Sequence, residues 1–149
     1  MADDALELQY DKFLLRVPRG LWYAGYDTWA RVEGDEATVG ITDFLQTKLG
    51  DAMFVTPEPG ASFEQDDIFA TLESSKAAVD LTIPVSGEVI AFNTALDDRP
   101  ELVNQEPYGA GWIVRVRLTD WENDQPMLLS PEAYYKVMQG RVADALARK

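Results

Sequence analysis

The chain has no cysteine and no histidine. Disulfides, thiol nucleophiles, imidazole bases and thiolate or imidazole metal sites are thereby excluded together. Only carboxylates, lysine, tyrosine and hydroxyls remain for chemistry, so any redox or sulfur chemistry must come from a cofactor. Cations are scarce as well: 13 Lys and Arg face 26 Asp and Glu, for a net charge of −13. That charge repels phosphate backbones and anionic membrane surfaces, so neither nucleic acid nor membrane is an expected partner, and basic partner surfaces are favoured. Acidity of this degree also suits a salt-rich host. No apolar run approaches the roughly 20 residues of a membrane span, and Met1-Ala2-Asp3-Asp4 is acidic where a signal peptide is basic. A cytoplasmic location is expected.

What is present is an apolar fraction of 46% with 11% aromatics over 149 residues, enough for one packed domain. Short strand-like runs separated by Gly, Pro and Asp recur along it. Residues 29–33 and 37–41 read as a hairpin around Gly34-Asp35-Glu36. Thr42 reads as the N-cap of a short helix over 43–49, with Gly50 beyond its end. Residues 52–56 are a strand stopped by Pro57 and Pro59, residues 88–93 and 111–118 are strands, and residues 94–102 are a short acidic helix broken near Arg99-Pro100. Ser130-Pro131-Glu132 is a strong helix start, and Tyr134, Val137, Met138, Val142 and Leu146 form an apolar stripe along the helix beyond it, which is expected to be kinked or interrupted at Gly140. Leu6, Tyr10, Phe13, Leu14 and Val17 fall near helical spacing, which predicts a helix in residues 1–20. The expected class is mainly β, a small barrel or sandwich edged by short helices and a C-terminal helix. Adjacent acidic pairs, Asp66-Asp67 and Asp97-Asp98, are poor candidates for acid–base catalysis, because neighbouring side chains point apart.

The chain is organised around residues 71–80. Two strand-like runs, 68–73 and 78–83, flank a polar turn with Lys76 at its tip. Lys76 is the one cation between Lys48 and Arg99, a segment holding ten carboxylates. Single-lysine modification needs such isolation, although most turn lysines are merely solvated.

Eight stretches then match one family in order: Val32-Glu33-Gly34, residues 37–44, Leu49-Gly50-Asp51, Glu73-Ser74-Ser75-Lys76-Ala77, residues 84–89, residues 100–104, Pro107-Tyr108-Gly109 and Gly111-Trp112. On them the chain resembles the glycine cleavage H proteins, which are lipoyl carriers. The resemblance implies a flattened barrel-sandwich hybrid of the lipoyl-domain type. It implies lipoate in amide linkage on Lys76, a carrier and not an enzyme, and a monomer. Glu73 and Gly87, the latter eleven residues after Lys76, are implied in recognition by the modifying enzyme; Tyr108, Gly109, Gly111 and Trp112 are implied in a cleft for the loaded arm. For Trp112 alone, a core position at the start of a strand is the plainer expectation. Locally, Gly87 reads as a turn position with positive φ. Ser75 and Ala77 beside the lysine, in place of methionines, speak against biotin. The division implied is an N-terminal extension over 1–20, a carrier domain over 21–129 and a packed C-terminal helix over 130–149.

The chain departs from the family where Tyr26-Asp27-Thr28-Trp29 replaces its usual His-Glu-Trp, and where Ser75 replaces valine. These departures point first to the H-like lipoate-binding proteins of sulfur-oxidising prokaryotes, carrying sulfur to a heterodisulfide-reductase-like complex. The alternative is the glycine route, with glycine decarboxylase, aminomethyltransferase and dihydrolipoyl dehydrogenase as partners. Either requires a lipoate ligase or lipoyl-synthesis enzymes. An unmodified binding protein is the minor alternative.

Overall fold

The computed structural model describes residues 4–148, so the expectations placed on residues 1–3 and on Lys149 lie outside the described residues. Two antiparallel sheets face each other. The larger runs β3 (Trp22–Tyr23), β4 (Thr28–Glu33), β5 (Glu36–Ile41), β11 (Val114–Leu118), β10 (Gly87–Phe92) and β7 (Ser62–Phe63); the smaller runs β6 (Ala52–Pro57), β8 (Ile68–Ser74) and β9 (Ala78–Thr82). Their inner faces meet in one core that includes Val39, Ile41, Leu72, Leu81, Ile83, Val114 and Val116, all almost fully buried. β11 alternates between buried and more exposed positions, whereas β5 is buried at every position from Ala37 to Ile41; the buried apolar faces close the two sheets into a sandwich. The mainly β, lipoyl-domain-like class is the one observed.

The short elements form where the local signals stand. α1 (Asp43–Leu49) starts at Thr42, whose hydroxyl accepts from the Leu45 N–H, and ends at Gly50 with φ of 77°. The broken acidic helix is two single turns, α2 (Ala95–Asp98) and α3 (Leu102–Gln105), before α4 (Trp121–Asp124). α5 (Pro131–Ala147) opens with the Ser130 hydroxyl accepting from the Ala133 N–H. It runs unbroken through Gly140, which corrects the expected interruption: a single exposed glycine costs a helix only about 1 kcal/mol, and the packing of Tyr134, Met138 and Val142 outweighs it.

Residues 5–18 are not a helix. They form a hairpin, β1 (Ala5–Tyr10) with β2 (Phe13–Pro18), turning at Asp11 with φ of 53°. Leu6, Leu8 and Tyr10 pack inward while Glu7 and Gln9 face out. That two-residue alternation is present in Leu6-Glu7-Leu8-Gln9-Tyr10, but spacing counted across the turn imitates a helical stripe. The hairpin lies on a second core built from Leu15, Val17, Tyr23, Trp29, Phe44, Tyr134 and Met138, which joins it to α1 and α5.

Buried polar groups fasten α5. The Asp27 carboxylate accepts from the Tyr134 hydroxyl at 2.6 Å and from Arg141 at 2.8 Å. Burial pushes the Asp27 carboxyl up from its ordinary value, and these two partners pull it back. Tyr26 donates to Asp66, and the Thr28 hydroxyl donates to the Thr82 carbonyl at 3.0 Å. The stretch that replaces the family's His-Glu-Trp is therefore engaged in packing.

Candidate functional site

Lys76 is exposed at the tip of the β8–β9 hairpin. Ser74 N–H donates to the Ala77 carbonyl at 2.8 Å, so the loop between them is only Ser75-Lys76. Tight hairpins prefer mirror-image turns with positive φ. Among the described residues the non-glycine positive φ values belong to Asp11, Asp27 and Asp66, so this turn is not of that kind. The Ser74 side chain stabilises it instead: its hydroxyl oxygen accepts from both the Lys76 and Ala77 N–H groups at 3.1 Å. Serine in Glu-Ser-x-Lys-Ala thus acts as a local brace.

A second strut comes from outside the hairpin. Ser75 N–H donates to the Asp51 carbonyl at 3.0 Å, tying the tip to the turn after α1. Asn104 holds that turn in place, donating to the Gly50 carbonyl at 2.8 Å and accepting from the Ala52 N–H at 2.8 Å. Lys76 lies back over the same turn. A Cβ on Gly50 would stand 3.2 Å from Ser75 Oγ and 3.5 Å from Lys76 Cε, so glycine both ends the helix and leaves room for the lysine stem. Ser74, Asn104 and Gly50 belong to matched stretches, yet nothing in the chain's order shows that they meet beside Lys76.

Glu73 is exposed, three residues from Lys76 on β8. Gly87 is not brought to the lysine: it opens β10 in the other sheet, paired with Leu118 and Phe63. Nor is it among the positive-φ glycines, which corrects the turn reading. A Cβ there would lie 2.7 Å from Val116 Cβ and 2.8 Å from the Arg117 carbonyl oxygen, so close strand packing is what demands glycine. Gly87→Val should lower stability by about 1–3 kcal/mol through overpacking, measured as a fall in the urea midpoint. An unchanged midpoint would show that the neighbouring strand yields freely.

The structure places Tyr108 at the start of α1, Gly109 and Gly111 against Glu106, and Trp112 against the second core. The Tyr108 hydroxyl accepts from the Asp43 N–H at 2.9 Å and donates to the Arg16 carbonyl at 2.7 Å, at the start of α1. Lys76 lies at the other end of that helix, about 10 Å away by the helical rise. Burial drives the Tyr108 phenol well up from its ordinary range, as suits a structural hydroxyl. A Cβ on Gly111 would collide with the Leu102 carbonyl, and Trp112, half-buried, packs under the Arg115 guanidinium. A recess of about 350 Å³ opens between α1, α5 and β1, lined by Tyr10, Phe44, Lys48, Arg141 and Asp144 among others; no residue of the β8–β9 hairpin lines it. No group of three or more carboxylates able to hold a metal ion occurs among the described residues. Nor, among them, is any helix long and apolar enough to cross a membrane.

The family model described as glycine cleavage H-protein matches residues 21–141, leaving the N-terminal hairpin outside. The chain is 50% identical over 127 residues to a glycine cleavage system H protein of Rubrobacter xylanophilus, covering 85% of this chain and 98% of that one. To the glycine cleavage system H protein of Alkalilimnicola ehrlichii it is 47% identical over 133 residues, 88% of this chain and 98% of the other. Among solved structures, the crystal structure of a glycine cleavage system H protein from Mycobacterium marinum superposes with a TM-score of 0.67 at 31% identity, over 79% of this chain and 95% of that one.

Proposed function

Since the chain belongs to the glycine cleavage H-protein family, a family of lipoyl carriers, we propose that it carries lipoate in amide linkage on Lys76 and serves the glycine route. The observation that carries this reading is the braced tip: an exposed lysine on a two-residue loop held by Ser74 within the hairpin and by Asp51 outside it. A carrier needs a fixed anchor and a free arm. Both strands fix the anchor, and the small, exposed neighbours Ser75 and Ala77 leave the lysine uncrowded. When attached, lipoate supplies a dithiol–disulfide end that accepts and passes on the aminomethyl group, chemistry that a chain without cysteine or histidine cannot perform.

The partners in this reading are a lipoate ligase or lipoyl-synthesis enzymes for loading, then glycine decarboxylase, aminomethyltransferase and dihydrolipoyl dehydrogenase. Carboxylates dominate the approach, since residues 49–75 hold six and no cation. A docking enzyme should therefore bring a basic rim, with an effect mainly on encounter rate that fades as salt rises.

A second reading, sulfur transfer to a heterodisulfide-reductase-like complex, rests on the replaced stretch Tyr26-Asp27-Thr28. Those residues anchor α5 and the base of the hairpin, a packing role that explains their identity without reference to a route. The named relatives favour glycine. The lipoylated protein is expected to support decarboxylase-dependent exchange of bicarbonate into glycine. Loaded protein that stays inert in this exchange, yet takes up sulfur from a thiol donor on its reduced arm, would overturn the glycine route in favour of the second.

A further inference from the structure

Two large apolar side chains stand in water on the strand that pairs with the lysine hairpin. Phe54 is 59% and Met53 53% exposed, both on β6, the edge strand of the smaller sheet. Phe54 is paired directly with Glu73 across β6 and β8. Directly opposed residues on antiparallel strands share a face, with Cβ atoms about 5 Å apart. The aromatic ring therefore stands beside the carboxylate that lies three residues from Lys76. A register shift at Met53 displaces that side chain from the strict alternation, and Met53, Phe54, Leu96 and Asp97 line a shallow recess of about 230 Å³. Asp97 in that lining is exposed; exposed Glu73 faces Phe54 across the strand pair, and exposed Asp51 lies just before the start of the strand.

An exposed aromatic with an adjacent flexible methionine and carboxylates on either side has the make-up of a docking anchor. Which enzyme uses it follows from reach. An enzyme acting on the end of a long arm can dock at a distance from the arm's root. An enzyme that builds the arm must bring the bare Lys76 Nζ into its own active site, and so must contact residues within a side chain's length of the tip. Phe54 and Glu73 are such residues.

We propose that Phe54, with Met53 beside it and Glu73 opposite, is the docking anchor for the enzyme that acylates Lys76, an enzyme presenting an apolar pocket with a basic rim. The inference rests on Lys76 being the attachment site. In the reaction served, the neutral Lys76 amine attacks the carbonyl carbon of lipoate held as a mixed anhydride with adenylate. The new C–N bond replaces the C–O bond to phosphate, AMP departs with the electron pair, and the nitrogen loses one proton to solvent. Nothing is oxidised or reduced.

The test is a rate measurement by intact mass with a lipoate–protein ligase, ATP and lipoate, on the full chain. Phe54→Ser should lower kcat/KM at least tenfold, chiefly through KM, with an unchanged thermal midpoint. Met127→Ser is the control, at a 73% exposed residue just after Asp124, whose carbonyl accepts from Gln65 near the base of the hairpin; it should react as wild type does. Protein loaded to completion should show Phe54→Ser and wild type within twofold of each other in the decarboxylase exchange. A wild-type rate of loading for Phe54→Ser would overturn the proposal. So would an equal loss in both assays, since the patch would then serve partners generally. If wild-type protein takes up no lipoate at all, it is the carrier reading that fails, and the docking proposal falls with it.

Discussion

Lys76→Arg protein is expected to fold normally and to gain no lipoyl mass when co-expressed with a lipoate ligase, whereas the wild type gains one lipoyl group. Arginine keeps the charge and most of the length of the side chain, but its guanidinium is protonated at every accessible pH and offers no amine to acylate. The brace of the turn uses the backbone N–H of residue 76, which arginine also has, so the hairpin should be unchanged. An exposed turn substitution of this kind shifts stability by less than about 0.5 kcal/mol. The chain has other lysines, among them Lys12, Lys48 and Lys136, which makes the result decisive. A lipoyl adduct on Lys76→Arg would place the attachment elsewhere and remove the role of the hairpin.

Trp29→Ala should be the most damaging single change to the fold, costing about 3–5 kcal/mol, enough to leave a marginal domain largely unfolded at physiological temperature. Trp29 is fully buried in the second core, between the large sheet and α5. Its indole N–H donates to both the Ile41 carbonyl at 2.9 Å and the Pro107 carbonyl at 3.1 Å, so truncation leaves a cavity and two poorly satisfied acceptors. The ring lies against Gly40, where a Cβ would come within 2.6 Å of it. Gly40 and Trp29 are cross-strand partners, and the glycine exists to admit the ring. Chemical denaturation measures the loss directly. A cost below about 1 kcal/mol would mean that the neighbouring Tyr108 and Tyr23 collapse into the space.

Both variants concern positions that the residue pattern itself marks. Lys76 is isolated by charge and by flanking strand patterns, and Trp29 stands at the head of a strand-like run. α1 and the start of α5 are equally plain, because capping is a local event: one side-chain oxygen accepting a nearby N–H. The N-terminal hairpin is legible only in part. Alternation is present in β1, but β2 opens on three consecutive apolar residues, and Asp11 turns the chain in a left-handed conformation that no apolar spacing announces.

Periodicity, capping and composition are settled over a few residues at a time. They are enough to mark most of the strands, the starts of α1 and α5, and the need for any reactive sulfur to be borrowed from a cofactor. What stands beside Lys76 is settled by packing alone. Asn104, Asp51 and Gly50 meet the tip through pairings between distant parts of the chain, up to 54 positions apart for Asn104 and Gly50. Likewise Gly87 owes its identity to Val116 on a neighbouring strand and not to its own φ, and Tyr26-Asp27-Thr28 to α5 and the hairpin base. Contacts at that separation depend on how the sheets pack and on strand register, and a local pattern of residues carries neither.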